Sequence, residues 1–141
     1  SMGGSSTLVY ATRRPDLLDG AAAFCPAGDI ESYYAFAKSV ENPTLQNIAS
    51  AIRIHYTVDG YKLEDELAAR SALLHPERLT MRLYLSWGSA DNTIPPEPAR
   101  ELGRVLTEMK SPVKCREIEN GDHDSPIMQV NWPEVLNFLS E

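Results

Sequence analysis

Three short apolar runs, Gly20 to Cys25, Leu83 to Trp87 and Val113 to Ile118, constrain this chain more than any other feature, because each stops at turn residues before it could become a helix. The first ends in Pro26-Ala27-Gly28, the second in Gly88, and the third runs into a loop around Gly121. Small and apolar throughout, the first run suits a strand buried on both faces. The third alternates Val113 and Cys115 with Lys114 and Arg116, the pattern of a half-exposed strand near a sheet edge.

Helical patterns fill the intervals. Ser5 to Arg14 is expected to be a helix with Leu8, Val9 and Ala11 on its buried side, preceded by Gly3-Gly4 and ended by Arg13-Arg14-Pro15. Ser5 and Ser6 read as caps at its start. Asp29, with Ser32 behind it, can cap a helix through Lys38, and Asn42-Pro43 separates it from a second helix from Thr44 to about His55. Asp59-Gly60 is a turn, and a third helix from Leu63 to Leu74 places Glu64, Asp65 and Glu66 in its first turn. Pro98 to Lys110 is amphipathic, with Leu102, Val105, Leu106 and Met109 on one face, and a last helix carries Pro133 near its start and runs through Leu139.

The order helix, strand, helical insertion, strand, helix, strand, helix predicts an α/β fold with a parallel three-stranded sheet and flanking helices. Residues 29–78 form a helical insertion longer than ordinary connections, which suggests a lid within a single partial domain spanning 1–141. Three parallel strands leave raw edges, so a second copy of the chain or a separate N-terminal half is expected to complete the sheet.

Composition narrows the partners. A net charge of −7 with scattered basic residues offers no footprint for nucleic acid and favours small neutral substrates over polyanions. No apolar run approaches the roughly 18 residues needed to span a bilayer, so no membrane role is expected. Cys25 and Cys115 each lie in an apolar stretch and read as buried free thiols without chemistry. Asp122, His123 and Asp124 do not read as metal ligands, since adjacent side chains in an extended loop point apart and no His-Glu-x-x-His spacing exists. Neither cofactor nor metal is expected.

Three polar positions follow the strand positions in chain order. Ser1-Met2-Gly3-Gly4 matches the second half of a nucleophile elbow, in which a serine sits on a strained turn and the N–H of the next residue, Met2, points at the same site. A serine before two glycines also reads as a flexible end. Asp91, in Gly88-Ser89-Ala90-Asp91-Asn92-Thr93-Ile94-Pro95, can hold a histidine tautomer or close a turn before Pro95-Pro96. His123, in Gly121-Asp122-His123-Asp124-Ser125-Pro126, sits in a polar loop where it can reach a partner and titrate near neutrality, or simply be solvated. Tyr33, Tyr34, Phe36 and Trp87 are candidates to line a substrate pocket beside Met2, with simple core as the other reading. His55 and His75 lie at ends of insertion helices and read as structural.

With Ser-Met-Gly-Gly, then Gly-x-x-Asp-x-x-Ile-Pro, then Gly-Asp-His, the sequence resembles the α/β-hydrolase superfamily, in particular bacterial esterases and prolyl-oligopeptidase-like hydrolases, over essentially its whole length. The resemblance implies the C-terminal half of that fold, opening at the elbow. It implies Ser1 as nucleophile, Asp91 as orienting acid, His123 as base and the Met2 N–H as oxyanion donor, with hydrolysis of a carboxylic ester through an acyl-enzyme. A peptidase of the same fold, or a silent fragment acting as an assembly module, fits the same residues.

Overall fold

The computed structural model describes residues 1–141. The chain opens with helix α1 (Met2–Arg13), turns through Pro15–Leu17, and enters strand β1 (Gly20–Phe24). Helices α2 (Ile30–Ser39), α3 (Pro43–Tyr56) and α4 (Leu63–Arg70) follow, then short 3₁₀ turns up to Arg78. Strand β2 (Arg82–Gly88), helix α5 (Glu97–Glu108), strand β3 (Val113–Ile118), a single turn α6 (Ser125–Met128) and helix α7 (Trp132–Ser140) complete it.

All three strands are parallel in the order β1-β2-β3, with Ala22 opposite Tyr84 and Leu85 opposite Cys115. Parallel pairing aligns the C-terminal ends of the strands on one rim, so the loops after β1, β2 and β3 meet there. One sheet face carries Ala21, Ala23, Leu83, Leu85 and Trp87 and packs on Leu8 and Ala11 of α1 and on Ala99, Leu102 and Leu106 of α5. On the other, Phe24 meets Tyr84 and Trp132, and the Arg82 guanidinium donates to the Leu139 carbonyl in α7. Helices α2, α3 and α4 gather a separate apolar cluster around Ile30, Tyr33, Ala37, Leu45, Ala49 and Leu67.

The structure corrects several sequence expectations. Helix α1 begins at Met2 rather than Ser5, so Gly3 and Gly4 lie inside it. A Cβ on Gly4 would stand 2.4 Å from the Phe24 carbonyl oxygen, so the residue's smallness brings the helix start against β1. Ser5 is not a cap: its Oγ donates to the Ser1 carbonyl and accepts the Ala27 N–H, stitching α1 to the loop after β1. The helix expected over Leu63 to Leu74 breaks at Ser71, whose backbone is extended (φ −86°, ψ 102°) while its hydroxyl turns to the start of α2. On α5 the buried stripe is Ala99, Leu102, Gly103 and Leu106, and Met109 faces solvent, because the helix lies close enough to the sheet for Gly103 to touch Cys115. Cys115 is accordingly exposed as a residue rather than buried, on an edge strand, although its sulfur packs under Gly103.

Candidate functional site

Asp91 sits just beyond the C-terminal end of β2 and is almost wholly buried. One carboxylate oxygen accepts the N–H groups of Thr93 at 2.8 Å and Ile94 at 2.9 Å, and the other lies 2.7 Å from His123 Nδ1. Asp91 thus closes its own turn, and that turn fixes the carboxylate that meets the imidazole.

His123 is carried by the loop after β3. Ser89 N–H donates to the Ile118 carbonyl, Ala90 N–H donates to the Gly121 carbonyl, and Asn120 N–H donates to Ser89 Oγ, so the loops after β2 and β3 are joined. Asp122 accepts from the Asp124 and Ser125 N–H groups and from the Ser125 hydroxyl, and these bonds hold its carboxyl below the usual range. It shapes the loop and starts α6. Gly88 allows the two loops to touch: a Cβ there would lie 2.3 Å from the carbonyl oxygens of Gly121 and Asp122.

Ser1 is exposed at the start of α1, beside the end of β1, with its amino nitrogen donating to the Phe24 carbonyl at 2.7 Å. The Ser1 nitrogen lies near enough to Cys25, Asp91 and Asp124 to feel their charge, which places Ser1 on the same rim as the histidine pair. Its hydroxyl forms no hydrogen bond with His123; such contacts often tighten only around a substrate. The Met2 N–H belongs to the first turn of α1, whose amides lack partners within the helix and point toward this rim.

A cavity of about 610 Å³ opens beside Ser1 and Met2. Val9 and Tyr10 of α1 form one wall, Ile48, Ile52 and His55 of α3 another, with Tyr33 and Ile94 between. Tyr33 also faces Asp91: burial first, and that carboxylate second, push its phenol up. Trp87, expected beside the substrate, lies instead in the core on the α5 side, with its indole N–H donating to Glu117. Strand alternation places it on the same sheet face as Leu83 and Leu85, against α5. Phe36 lines a smaller hollow beside Pro95 and Tyr34 another beside Lys38, so neither borders the cavity at Ser1. His55 does border it, whereas His75 bonds the Ala68 carbonyl.

Cys25 carried no expected role, yet it stands immediately after β1 in a left-handed backbone conformation (φ 49°), its Sγ 2.9 Å from the His123 carbonyl oxygen. Burial pushes its thiol up to about 11. Neither local spacing nor residue type signals this proximity, because Cys25 and His123 lie 98 positions apart in the chain.

No family model and no curated protein matches the chain. Solved structures do. A puromycin-hydrolyzing peptidase of Mycobacterium tuberculosis superposes with a TM-score of 0.68 at 24% identity, covering 87% of this chain and 17% of its own. An acylaminoacyl peptidase of Pyrococcus horikoshii gives 0.65 at 19% identity, over 89% and 19%. A monoacylglycerol lipase of Paleococcus ferrophilus gives 0.60 at 23% identity, over 99% and 66%. The chain thus spans under a fifth of the length of these peptidases and 66% of the lipase. With a parallel sheet, flanking helices, and joined aspartate and histidine loops on one rim, the chain has the fold of the C-terminal part of an α/β-hydrolase.

Proposed function

We propose that the chain belongs to a serine hydrolase that cleaves carboxylic esters through an acyl-enzyme on Ser1. The observation that carries this reading is the pair His123 Nδ1 to Asp91 Oδ2 at 2.7 Å, on the rim where α1 begins at Ser1. In this reaction His123 Nε2 takes the Ser1 hydroxyl proton as the oxygen attacks the ester carbonyl, and Asp91 stabilises the imidazolium that results. The Met2 N–H donates to the developing oxyanion, aided by the positive end of α1. His123 returns the proton to the departing alcohol, and water then hydrolyses the acyl group by the same steps in reverse. The reaction so written uses no cofactor.

The apolar cavity beside Ser1 supports a substrate with a sizeable apolar acyl or alcohol part, and the helices of residues 29–78 that wall it serve as its lid. An amide substrate fits the same machinery, and two of the three similar structures described are peptidases. The test is turnover of p-nitrophenyl esters of increasing acyl length. The His123→Ala protein is expected to lose about 10⁴ to 10⁶ in kcat with its circular dichroism unchanged, and equal turnover by both proteins overturns the reading.

A second reading rests on the sheet. With the order β1-β2-β3, the outer sides of β1 and β3 are unpaired edges, and a catalytically silent module could join a second copy or a complementing N-terminal half through them. A dimer without ester turnover favours this reading, and a His123-dependent burst of product favours the enzyme.

A further inference from the structure

Cys25 Sγ, one carboxylate oxygen of Asp91 and one ring nitrogen of His123 all lie within 4.8 Å of one another. Cys25 and Asp91 are 4% and 5% exposed, and the imidazole is mostly covered. Ligand atoms around a tetrahedral zinc ion, with bonds of about 2.0–2.3 Å, stand about 3.3–3.8 Å apart, so side-chain rotations of about an ångström would close this set. Sulfur, imidazole and carboxylate together suit Zn²⁺ or Co²⁺ and are a poor match for Mg²⁺ or Ca²⁺, which prefer oxygen alone. The surroundings also favour a cation. Asp122 and Asp124, on either side of His123, add negative charge around the set.

We propose that Cys25, Asp91 and His123 form a binding site for a transition-metal dication of the Zn²⁺ type, and that an ion held there switches off hydrolysis. On binding, the Cys25 S–H bond breaks, its proton leaves to solvent, and the sulfur electron pair forms the metal bond; no electron is transferred. His123 gives the lone pair of one ring nitrogen to the metal and keeps its single N–H proton on the other nitrogen, and Asp91 exchanges its hydrogen bond for a metal–oxygen bond. The imidazole then has no orienting acid, and water or the Ser1 hydroxyl fills the fourth position. The switching clause rests on the hydrolase reading above, whereas the binding clause does not.

Titration with Co²⁺ tests the binding clause by itself. The chain is expected to take up one Co²⁺ with a thiolate-to-cobalt charge-transfer band that Zn²⁺ abolishes by displacement. Cys25→Ala should lose the band and weaken Zn²⁺ binding by at least about 100-fold, while Cys115→Ser keeps both. Absence of the band in the unmodified chain, its persistence in Cys25→Ala, or its loss in Cys115→Ser overturns the site. Where ester turnover is present, stoichiometric Zn²⁺ should lower it at least about tenfold, reversibly with chelator, and in Cys25→Ala should change that variant's own metal-free turnover by less than about twofold. Zn²⁺ that binds through Cys25 yet leaves turnover intact overturns the switch. A chain that binds Zn²⁺ but has no turnover counts against the hydrolase reading and leaves the site standing.

Discussion

Asp91 turns both carboxylate oxygens inward, away from solvent. Its two backbone donors and His123 use both oxygens, and its side chain is 1% exposed. Asn at this position keeps the shape and can keep the turn, but presents an N–H donor to the imidazole or turns its oxygen away from the two amides. The proposed mechanism therefore predicts that Asp91→Asn folds normally and lowers ester kcat by about 10⁴, because the wrong imidazole tautomer is favoured. Turnover within tenfold of the parent would sink the assignment of Asp91 as the orienting acid. The residue itself was readable in the sequence from its position after an apolar strand and before Ile94-Pro95. That one carboxylate serves both a turn and a histidine was not, since the second partner arrives from 32 residues away.

Between elements, single small or hydroxylated residues decide the joins. Ser71 is fully buried at the break after α4, where its hydroxyl donates to Asp29 or the Leu67 carbonyl and accepts the Ile30 N–H, tying the end of α4 to the start of α2. Ser71→Ala leaves the Ile30 amide without its acceptor and is expected to cost about 1–3 kcal/mol in a denaturant titration. Gly88 plays the corresponding part at the rim. Gly88→Ala forces its new methyl group onto the carbonyls of Gly121 and Asp122, so about 1–3 kcal/mol of stability should be lost and the His123 loop displaced. A thermal melt and ester turnover measured together check this, and a variant unchanged in both shows that the loops do not touch. Strands and helix identities were foreseeable from apolar run length and spacing. Helix ends were not: α1 starts three residues earlier than its local pattern suggests because Gly4 is recruited by contact with Phe24.

At the scale of the whole molecule, folding itself sets the proton affinity of Cys25 by burying it among acidic groups. Its thiol moves from an ordinary 9.0 up to about 11, so below pH 9 it is protonated folded or unfolded and stability is intact. As pH rises through 9 toward 11 the unfolded chain releases this proton and the folded chain retains it, so stability falls across that window. The slope should be shallower in Cys25→Ala, where Cys115 remains, as read from denaturant midpoints at several pH values; equal slopes mean the thiol is not held protonated by the fold. What the sequence determined by itself was the alternation of strand and helix, and with it the parallel sheet, since run length and turn residues act locally. The positions of the aspartate and histidine after strand ends followed from that. Tertiary structure alone decided the company these residues keep: Trp87 in the core, His55 and Tyr10 on a cavity wall, and Cys25 against the histidine loop. The reason is that parallel pairing brings distant loops onto one rim, and contacts across that rim leave no mark in local spacing.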